Sequence, residues 1–283
     1  MCSRVRKPPS GLYAPRMSKK ESFRAQYGPT ALIAGGSEGL GAAFAEGIAQ
    51  RGLDLVLVAR RQALLEPLAA RLRTEYGVKV TVVALDLAAA DLAGQIATVL
   101  ASHEIGLCVY NAAYSTIGPF LDQPLEDHLR VLDVNCRGPL VLSHSLGKEM
   151  VARGRGGIIL MSSLAATQGS PYIASYAASK AFDLILGESL WHELEKQGVH
   201  VLACRAGATR TPAYERSKPD FSGPVMEPRP VAEEALDSLG RSPSKVAGSF
   251  NKMAAFFMGR VMSRRQAVRT MGKATAKIYK VGR

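Results

Sequence analysis

The sequence predicts a single doubly wound α/β domain, with a parallel sheet of six to seven strands between two layers of helices. Short β-branched apolar runs alternate with longer segments that place apolar residues at helical spacing and end in glycine. The apolar runs are nearly continuous, which is typical of strands buried on both faces. A repeated order of strand, helix and strand predicts parallel pairing through right-handed crossovers.

Six apolar runs account for the predicted strands. They are TALIA (30–34), LDLVLV (53–58), VKVTVVA (78–84), IGLCVY (105–110), GIILMS (157–162) and VHVLAC (199–204). Residues 209–230 contain five prolines and interrupt the alternation. Because open α/β sheets bind ligands at the carboxyl edge, we expect this segment to be a substrate lid; an ordinary surface excursion is the alternative.

Charge is distributed unevenly along the 283 residues. The net charge is +12, with +6 in residues 1–24, +11 in residues 238–283 and −5 between them. This pattern predicts a basic N-terminal extension (1–27), a globular domain (28–240) and a basic C-terminal extension (241–283). Basic ends either bind an anionic surface or are simply solvated, and we expect no nucleic-acid ligand.

The cysteines and the hydropathy pattern indicate a reduced cytoplasmic protein. Cys2, Cys108, Cys136 and Cys204 lie far apart without a C-x-x-C pair, so neither a disulfide framework nor a metal site is expected. No stretch reaches the roughly 18 apolar residues that a spanning helix needs. Any membrane contact would therefore be peripheral.

A glycine-rich turn follows the first predicted strand. The segment AGGSEGLG (34–41) leads directly into a predicted helix, where backbone N–H groups and the helix N-terminus approach a pyrophosphate. This context predicts a Rossmann-type dinucleotide site. Its residues are Gly35, Ser37, Gly39, Leu40 and Gly41.

The residues at the end of the second predicted strand indicate which dinucleotide the site prefers. A site that prefers NAD has a carboxylate there for the ribose 2′-hydroxyl, whereas this chain has Arg60 and Arg61. A guanidinium binds a 2′-phosphate through a fork of N–H donors, so we expect NADP(H). The alternative is that the arginines only cap the sheet edge, and Glu38 in the glycine turn is an argument against a phosphate.

A tyrosine and a lysine share one turn of a predicted helix in SYAASKAF. Tyr176 and Lys180 are four residues apart, which puts them on one face. A cation beside a phenol stabilises the phenolate, and a phenol is then suited to exchange a proton with an alcohol or a carbonyl oxygen. The alternative is plain packing with the lysine stem lying along apolar surface.

Together these motifs resemble those of the classical short-chain dehydrogenase/reductase family, whose glycine motif is T-G-x-x-x-G-x-G. Ser163, thirteen residues before Tyr176, and Asn135 in VLDVNCRGPL match the family's serine and asparagine. The resemblance covers about residues 28–240 and implies a Rossmann-type catalytic domain. Family members commonly pair through long helices, so it also implies a homo-dimer or tetramer.

The resemblance implies a role for each matched residue. Tyr176 would be the general acid in reduction and the base in oxidation, and Lys180 would assist it and hold the nicotinamide ribose. Ser163 would orient the carbonyl, and Asn135 would support a water that links Lys180 to solvent. The neighbouring Ser162 is expected to be structural.

Further cofactor contacts follow from the same resemblance. Asp86 would meet the adenine amino group, and helix capping is a compatible reading. Asn111 in YNAA and Thr211 in RAGATRT match the family's cleft asparagine and its carboxamide-binding threonine. The departures from the family pattern are Ala34, Tyr110, Ala113 and Ala206.

The predicted function is an NADP(H)-dependent oxidoreductase that interconverts a secondary alcohol and a carbonyl on an apolar substrate, lipid-, acyl- or steroid-like. The alternative is a non-catalytic dinucleotide-binding module with a regulatory or scaffold role. The C-terminal region predicts an amphipathic helix that packs on the domain or lies at a membrane interface. Its apolar side has Phe257, Val261, Val268, Met271 and Ile278, opposite Arg265, Arg269, Lys273, Lys277 and Lys280.

Overall fold

Seven parallel strands form one sheet in the computed structural model, which describes residues 17–217, 220–221 and 223–281. The sheet order is β3-β2-β1-β4-β5-β6-β7, so the direction of strand addition reverses between β1 and β4. This arrangement confirms the doubly wound α/β class, and such reversal points form ligand clefts. The strands are β1 Thr30–Ala34, β2 Asp54–Ala59, β3 Val80–Ala84, β4 Ile105–Tyr110, β5 Gly156–Ser163, β6 Val199–Ala206 and β7 Ser244–Val246.

The helices cover both faces of the sheet. A π-helical turn, Asp133–Arg137, joins α5 to α6, and a second one, Phe257–Val261, follows α10. The α-helices are α1 Lys19–Tyr27, α2 Gly39–Gln50, α3 Gln62–Tyr76, α4 Leu92–Ser102, α5 Leu125–Leu132, α6 Gly138–Ala152, α7 Ala174–Glu195, α8 Pro212–Ser217, α9 Pro228–Ser238, α10 Ser249–Phe256 and α11 Arg264–Tyr279.

The core lies in two layers because successive strand residues point to opposite faces. On one side, residues such as Ile33 and Leu57 pack against α2, α3 and α9. On the other side, Leu32 and Val58 pack against α4, α6 and α7. Burial on both faces explains why the strands read as unbroken apolar runs.

The folded domain extends beyond the predicted limits of 28–240 at both ends. Tyr27 of α1 is buried, and its hydroxyl lies 2.8 Å from Nδ1 of His200 on β6. At the other end, β7 pairs with β6 in register Ala203 to Ser244. Helix α1 buries a single tyrosine and β7 has three residues, so neither gives a periodic apolar pattern. The sequence therefore did not reveal them.

The proline-rich segment 209–230 contains more regular structure than a loop. It includes α8 and the start of α9, and its ends are tied together by backbone hydrogen bonds. Met226 N donates to Ala208 O at 3.0 Å and Arg210 N donates to Met226 O at 2.8 Å. The described residues of the segment, which exclude 218–219 and 222, therefore form a folded excursion at the carboxyl edge of the sheet.

The C-terminal region does not form the single amphipathic face that the sequence predicts. The π-helical turn ends at Val261, and Ser263 is the N-cap of α11, with a capping box to Gln266. The break separates exposed Phe257 and Val261 from the half-buried apolar residues of α11. A local cap therefore overrides the helical periodicity.

Candidate active site

The turn after β1 forms a backbone cradle that a side chain would fill. Gly35 has φ +79°, and a Cβ there would lie 2.7 Å from the backbone of Ala112. A Cβ at Gly41 would overlap the Gly35 carbonyl oxygen, so α2 approaches the turn only because both residues are glycine. The free N–H groups at the start of α2 meet this cradle, which is the arrangement that binds a pyrophosphate.

The other residues of the glycine turn connect it to the core and to segment 209–230. Leu40 packs against the core, and Ser37 is half-buried. A Cβ at Gly39 would lie 2.8 Å from Cγ2 of Thr211. The Thr211 hydroxyl accepts a hydrogen bond from Tyr214 N at 3.1 Å and so stabilises the first turn of α8.

Asn111 and Asp86 lie at the carboxyl ends of β4 and β3. Asn111 Nδ2 donates to Gly35 O at 3.0 Å and braces the cradle. Asp86 accepts from Ala88 N at 3.0 Å and from Arg130 Nη2 at 2.8 Å. Partial burial opposes its ionisation, but these two donors hold the Asp86 pKa below its usual value. Asp86 thus caps the local backbone and carries charge at the cleft edge.

The two arginines after β2 differ in their surroundings. Arg61 Nη2 lies 3.1 Å from Oε1 of Glu38, and Arg216 of α8 reaches the same oxygen at 2.7 Å. Hydrogen bonding from Arg216, with help from Arg61, lowers the pKa of Glu38. Arg60 is exposed, and its side chain has no ion pair or hydrogen bond within the described ranges. Glu38 therefore engages Arg61 and leaves Arg60 available to a phosphate.

Asn135 is completely buried in the π-helical turn between α5 and α6. Its Oδ1 accepts from Tyr114 N, and its Nδ2 donates to Tyr114 O, both at 2.8 Å. Nδ2 also donates to Ser179 Oγ at 2.9 Å. Since both ends of the amide have protein partners, the side chain fastens the segment after β4 to α7. A π-helical turn is a common feature of functional sites.

Tyr176 and Lys180 occupy the first turns of α7, next to the carboxyl end of β5. The Lys180 Nζ atom lies 5.9 Å from the centre of the Tyr176 ring, and it donates to Met161 O at 2.8 Å. It also forms an ion pair of 2.9 Å with Asp183, one turn further along the helix. Burial acts to lower the Lys180 pKa, but the Asp183 carboxylate outweighs it and raises that pKa.

The two serines at the end of β5 have different environments. Ser162 is buried, and its hydroxyl donates to Lys180 O at 2.7 Å, so it supports α7. Ser163 is half-buried, and its hydroxyl accepts from Ala165 N at 3.2 Å. Ala165 packs in a small cluster with Tyr176. The chain after Ser163 is thus held against the turn of α7 that carries the tyrosine.

Helix α11 covers this side of the site. Tyr279 packs against the cluster that contains Tyr176, and both Tyr176 and Tyr214 act electrostatically on its hydroxyl. Thr275 Oγ1 donates to Pro171 O at 2.8 Å, just before α7. The C-terminal helix therefore forms a wall beside Tyr176.

The structure brings every predicted site residue to the carboxyl edge of the sheet. The cradle left by the glycines and the cationic end of β2 fit a dinucleotide with an extra phosphate. The sequence did not single out Asp183, Arg130, Arg216 or Tyr279. An acid three residues after Lys180 in an apolar helix was a usable signal for Asp183. The others are distant in sequence from the groups they contact and gave none.

Comparison with known proteins places the chain in one family. The sequence model of the short chain dehydrogenase family matches residues 29–221. A 7beta-hydroxysteroid dehydrogenase of Collinsella aerofaciens is 33% identical over 239 residues, which are 82% of this chain and 90% of that protein.

Solved structures agree with this placement. One that concerns 7beta-hydroxysteroid dehydrogenase stereoselectivity has a TM-score of 0.81 and 31% identity, covering 88% of this chain and 98% of the other. A short-chain dehydrogenase of Sphingobium yanoikuyae in complex with NADPH has a TM-score of 0.72 and 33% identity, covering 86% and 95%.

These findings confirm the predicted family, reaction class and cofactor, and they do not favour the alternative of a non-catalytic module. The chain belongs to the short-chain dehydrogenase/reductase family and is an NADP(H)-dependent oxidoreductase that interconverts a secondary alcohol and a carbonyl compound.

Proposed function

We propose that the substrate is a bulky apolar ketone, or the corresponding secondary alcohol, of steroid-like shape. The observation that carries the proposal is the wall of α11, which sets Tyr279 beside Tyr176. Aromatic side chains offer large rigid apolar surfaces to a ring system. The similarity over most of the chain to a 7beta-hydroxysteroid dehydrogenase supports the same substrate class.

The catalytic roles follow from the chemistry of the carbonyl oxygen. NADPH supplies a hydride to the carbonyl carbon in reduction, and NADP⁺ accepts one in oxidation. Tyr176 gives a proton to the oxygen in one direction and takes it in the other, while the Ser163 hydroxyl donates a hydrogen bond to the same oxygen. Lys180 stabilises the phenolate and binds the nicotinamide ribose. Asn135 holds the segment after β4 against α7 through its hydrogen bonds to Tyr114 and Ser179.

In this proposal, residues near the reversal point of the sheet would hold the cofactor. The pyrophosphate binds to Gly35, Ser37, Gly39, Leu40 and Gly41. Arg60 and then Arg61 bind the 2′-phosphate, and Asp86 meets the adenine. Asn111 braces the cradle, and Thr211 contacts the nicotinamide carboxamide. Segment 209–230 acts as the lid, because α8 joins Thr211 to the Arg216–Glu38 ion pair.

A substrate panel followed by NADPH absorbance tests the proposal. The panel contains ring-substituted steroid ketones, a medium-chain 3-oxoacyl thioester, a small aldehyde and a sugar ketone. We expect kcat/KM to be highest for a steroid ketone, and Tyr279→Ala to raise its KM more than that of the small aldehyde. Exclusive activity on the sugar or the small aldehyde would contradict the substrate class.

We also propose a homodimer formed through α5, α6 and α7. Large apolar side chains are about half exposed on these adjacent helices, namely Leu129, Leu132, Leu140 and Ile185. Burial of apolar surface of this kind is the main driving force of stable homodimers. Leu140→Glu combined with Ile185→Glu should give a monomer by light scattering, whereas Leu64→Glu on α3 should leave the mass unchanged. A wild-type monomer would contradict this proposal.

We propose a cytosolic protein with a peripheral membrane contact through the outer face of α10 and its π-helical turn. Five large apolar side chains there are at least half exposed: Phe250, Met253, Phe256, Phe257 and Val261. Lys252, Arg260, Arg264 and Arg265 flank them, and no acidic residue follows Asp237. This combination suits an anionic phospholipid surface. None of the helices in the described ranges is long and apolar enough to cross a membrane.

Vesicle co-sedimentation tests the membrane contact. The intact chain should co-sediment with vesicles that contain phosphatidylserine and less with pure phosphatidylcholine vesicles. Phe256→Asp together with Phe257→Asp should abolish binding, and Leu64→Asp should leave it intact. Equal recovery of all variants in the soluble fraction would refute the contact, and concentration-dependent association without vesicles would assign the face to a second copy.

A further inference from the structure

Lys180 forms a buried ion pair with Asp183. The side chains of Lys180 and Asp183 are 3% and 1% exposed, and Nζ lies 2.9 Å from Oδ2. A lysine ammonium has three N–H donors, and Met161 O accepts a second one at 2.8 Å. One donor is left for the cofactor cleft. Two fixed acceptors therefore restrict where the remaining N–H can point.

Asp183 is not satisfied by this ion pair alone. Its Oδ1 is buried and has no hydrogen-bond partner among the described residues. A buried ion pair contributes little net stability compared with apolar residues of the same volume, so stability does not explain a half-satisfied carboxylate inside α7. A role toward the ammonium does explain it.

The charge of Asp183 also reaches the other ionisable groups at the base of the cleft. Burial is the main cause of the raised pKa of Tyr110 on β4 and of Cys136 in the π-helical turn. The Asp183 carboxylate raises both pKa values further. Tyr279 faces Tyr176 from α11. Among these described groups, Asp183 is the carboxylate that pairs with the Lys180 ammonium.

We propose that Asp183 is a positioning residue that fixes the direction of the Lys180 ammonium and offsets part of its charge at Tyr176. The inference rests on the roles proposed above for Tyr176 and Lys180. In this arrangement the phenol interacts with a lysine–aspartate pair rather than with an isolated cation. The pair therefore favours the phenolate less than a lone ammonium would.

A neutral variant of Asp183 separates the effect of its charge from the effect of its size. Asp183→Asn keeps the size of the side chain and an oxygen for Nζ, but it removes the anion. While Lys180 stays protonated, its unopposed ammonium favours the phenolate more strongly. Asp183→Glu retains the charge, and Asp133→Asn removes a partly exposed acid that pairs with Arg137 on the neighbouring turn.

The test is an ultraviolet titration of the chain saturated with NADP⁺, which needs no substrate. The tyrosinate absorbance of each variant is measured with and without Tyr176→Phe, and the difference isolates Tyr176. We expect the midpoint of this difference to fall by about one pH unit in Asp183→Asn. Asp183→Glu and Asp133→Asn should keep the wild-type midpoint, and NADP⁺ affinity should change less than about threefold.

An unchanged midpoint in a folded Asp183→Asn variant overturns the proposal, as does an equal fall in Asp133→Asn. If Asp183→Asn does not fold, Asp183→Ser replaces it, since the smaller hydroxyl leaves room for water beside the ammonium. Failure of the catalytic assignment itself gives a different result: Tyr176→Phe would then retain turnover on the substrate panel, whatever the titration shows.

Discussion

The phenol of Tyr176 is the group on which turnover depends in the proposed reaction. Tyr176→Phe removes the hydroxyl but keeps the ring that packs against Ala165 and Tyr279. We expect turnover to fall by at least about a hundredfold, as is common for loss of a general acid or base. NADPH affinity, measured by fluorescence titration, should be nearly unchanged. Turnover near the wild-type rate would contradict the assignment.

At the same scale, Arg60 and Arg61 are expected to contribute unequally to cofactor choice. Glu38 engages Arg61 at 3.1 Å, whereas Arg60 is unpaired within the described ranges. Arg60→Ala should therefore weaken NADPH binding by about tenfold, and Arg61→Ala should weaken it less. NADH binding should not change in either variant. Calorimetric titration distinguishes these outcomes, and an equal loss for both cofactors would count against a 2′-phosphate contact.

His200 provides a pH dependence of stability. Burial lowers the pKa of its imidazole, and the charge of Glu195 acts in the opposite direction with a smaller effect. Between that lowered value and the ordinary value of about 6.5, the unfolded chain binds more protons than the folded one. Stability should thus be fully present above about pH 6.5 and decrease as the pH falls below it.

Urea unfolding at several pH values measures this effect. His200→Phe should reduce the loss of unfolding free energy at acidic pH, while His192→Gln on the exposed end of α7 should not. If both variants keep the full pH dependence, another group is responsible.

At the scale of elements, the packing of α2 on the glycine turn makes a sharp prediction. Gly41→Ala places a methyl group where the Gly35 carbonyl oxygen lies. We expect NADPH affinity to fall by at least about tenfold and the protein to lose about 1–3 kcal/mol of stability. Gly147→Ala in α6 is the matched control, since its added methyl meets only Ile158 at 4.0 Å. That control should be neutral or slightly stabilising. Thermal unfolding and cofactor titration of both variants test the contrast.

The hydrophobic pattern of the sequence was enough to predict most of the strands. All six predicted strands are present. Most are buried on both faces and so form continuous apolar runs, and β3, in which only Val80 is buried, still has a β-branched apolar run. The seventh strand is a three-residue edge strand with one buried side chain, and it carries no such run. The predicted C-terminal face was wrong as a continuous surface because the Ser263 cap restarts the helix.

At the scale of the whole molecule, cofactor binding should stabilise the native state. A ligand that binds only the folded chain at about a hundredfold excess over its Kd adds about 2.7 kcal/mol. NADPH should therefore raise Tm clearly more than NADH at the same concentration. A thermal scan with each cofactor checks this, and equal shifts would contradict the preference for NADPH.

The sequence by itself determined the fold class, the family and the cofactor, and it predicted the catalytic and cofactor-binding residues, since strand burial, the glycine turn and the Tyr176–Lys180 spacing are local patterns. Only the tertiary structure decided the partners of those residues. Asp183 has a local signal in its spacing from Lys180, but only the structure shows that the two side chains are buried together as an ion pair. Arg130, Arg216 and Tyr279 reach the site from helices far away in the chain. Long-range packing determines such contacts, and no short segment encodes them.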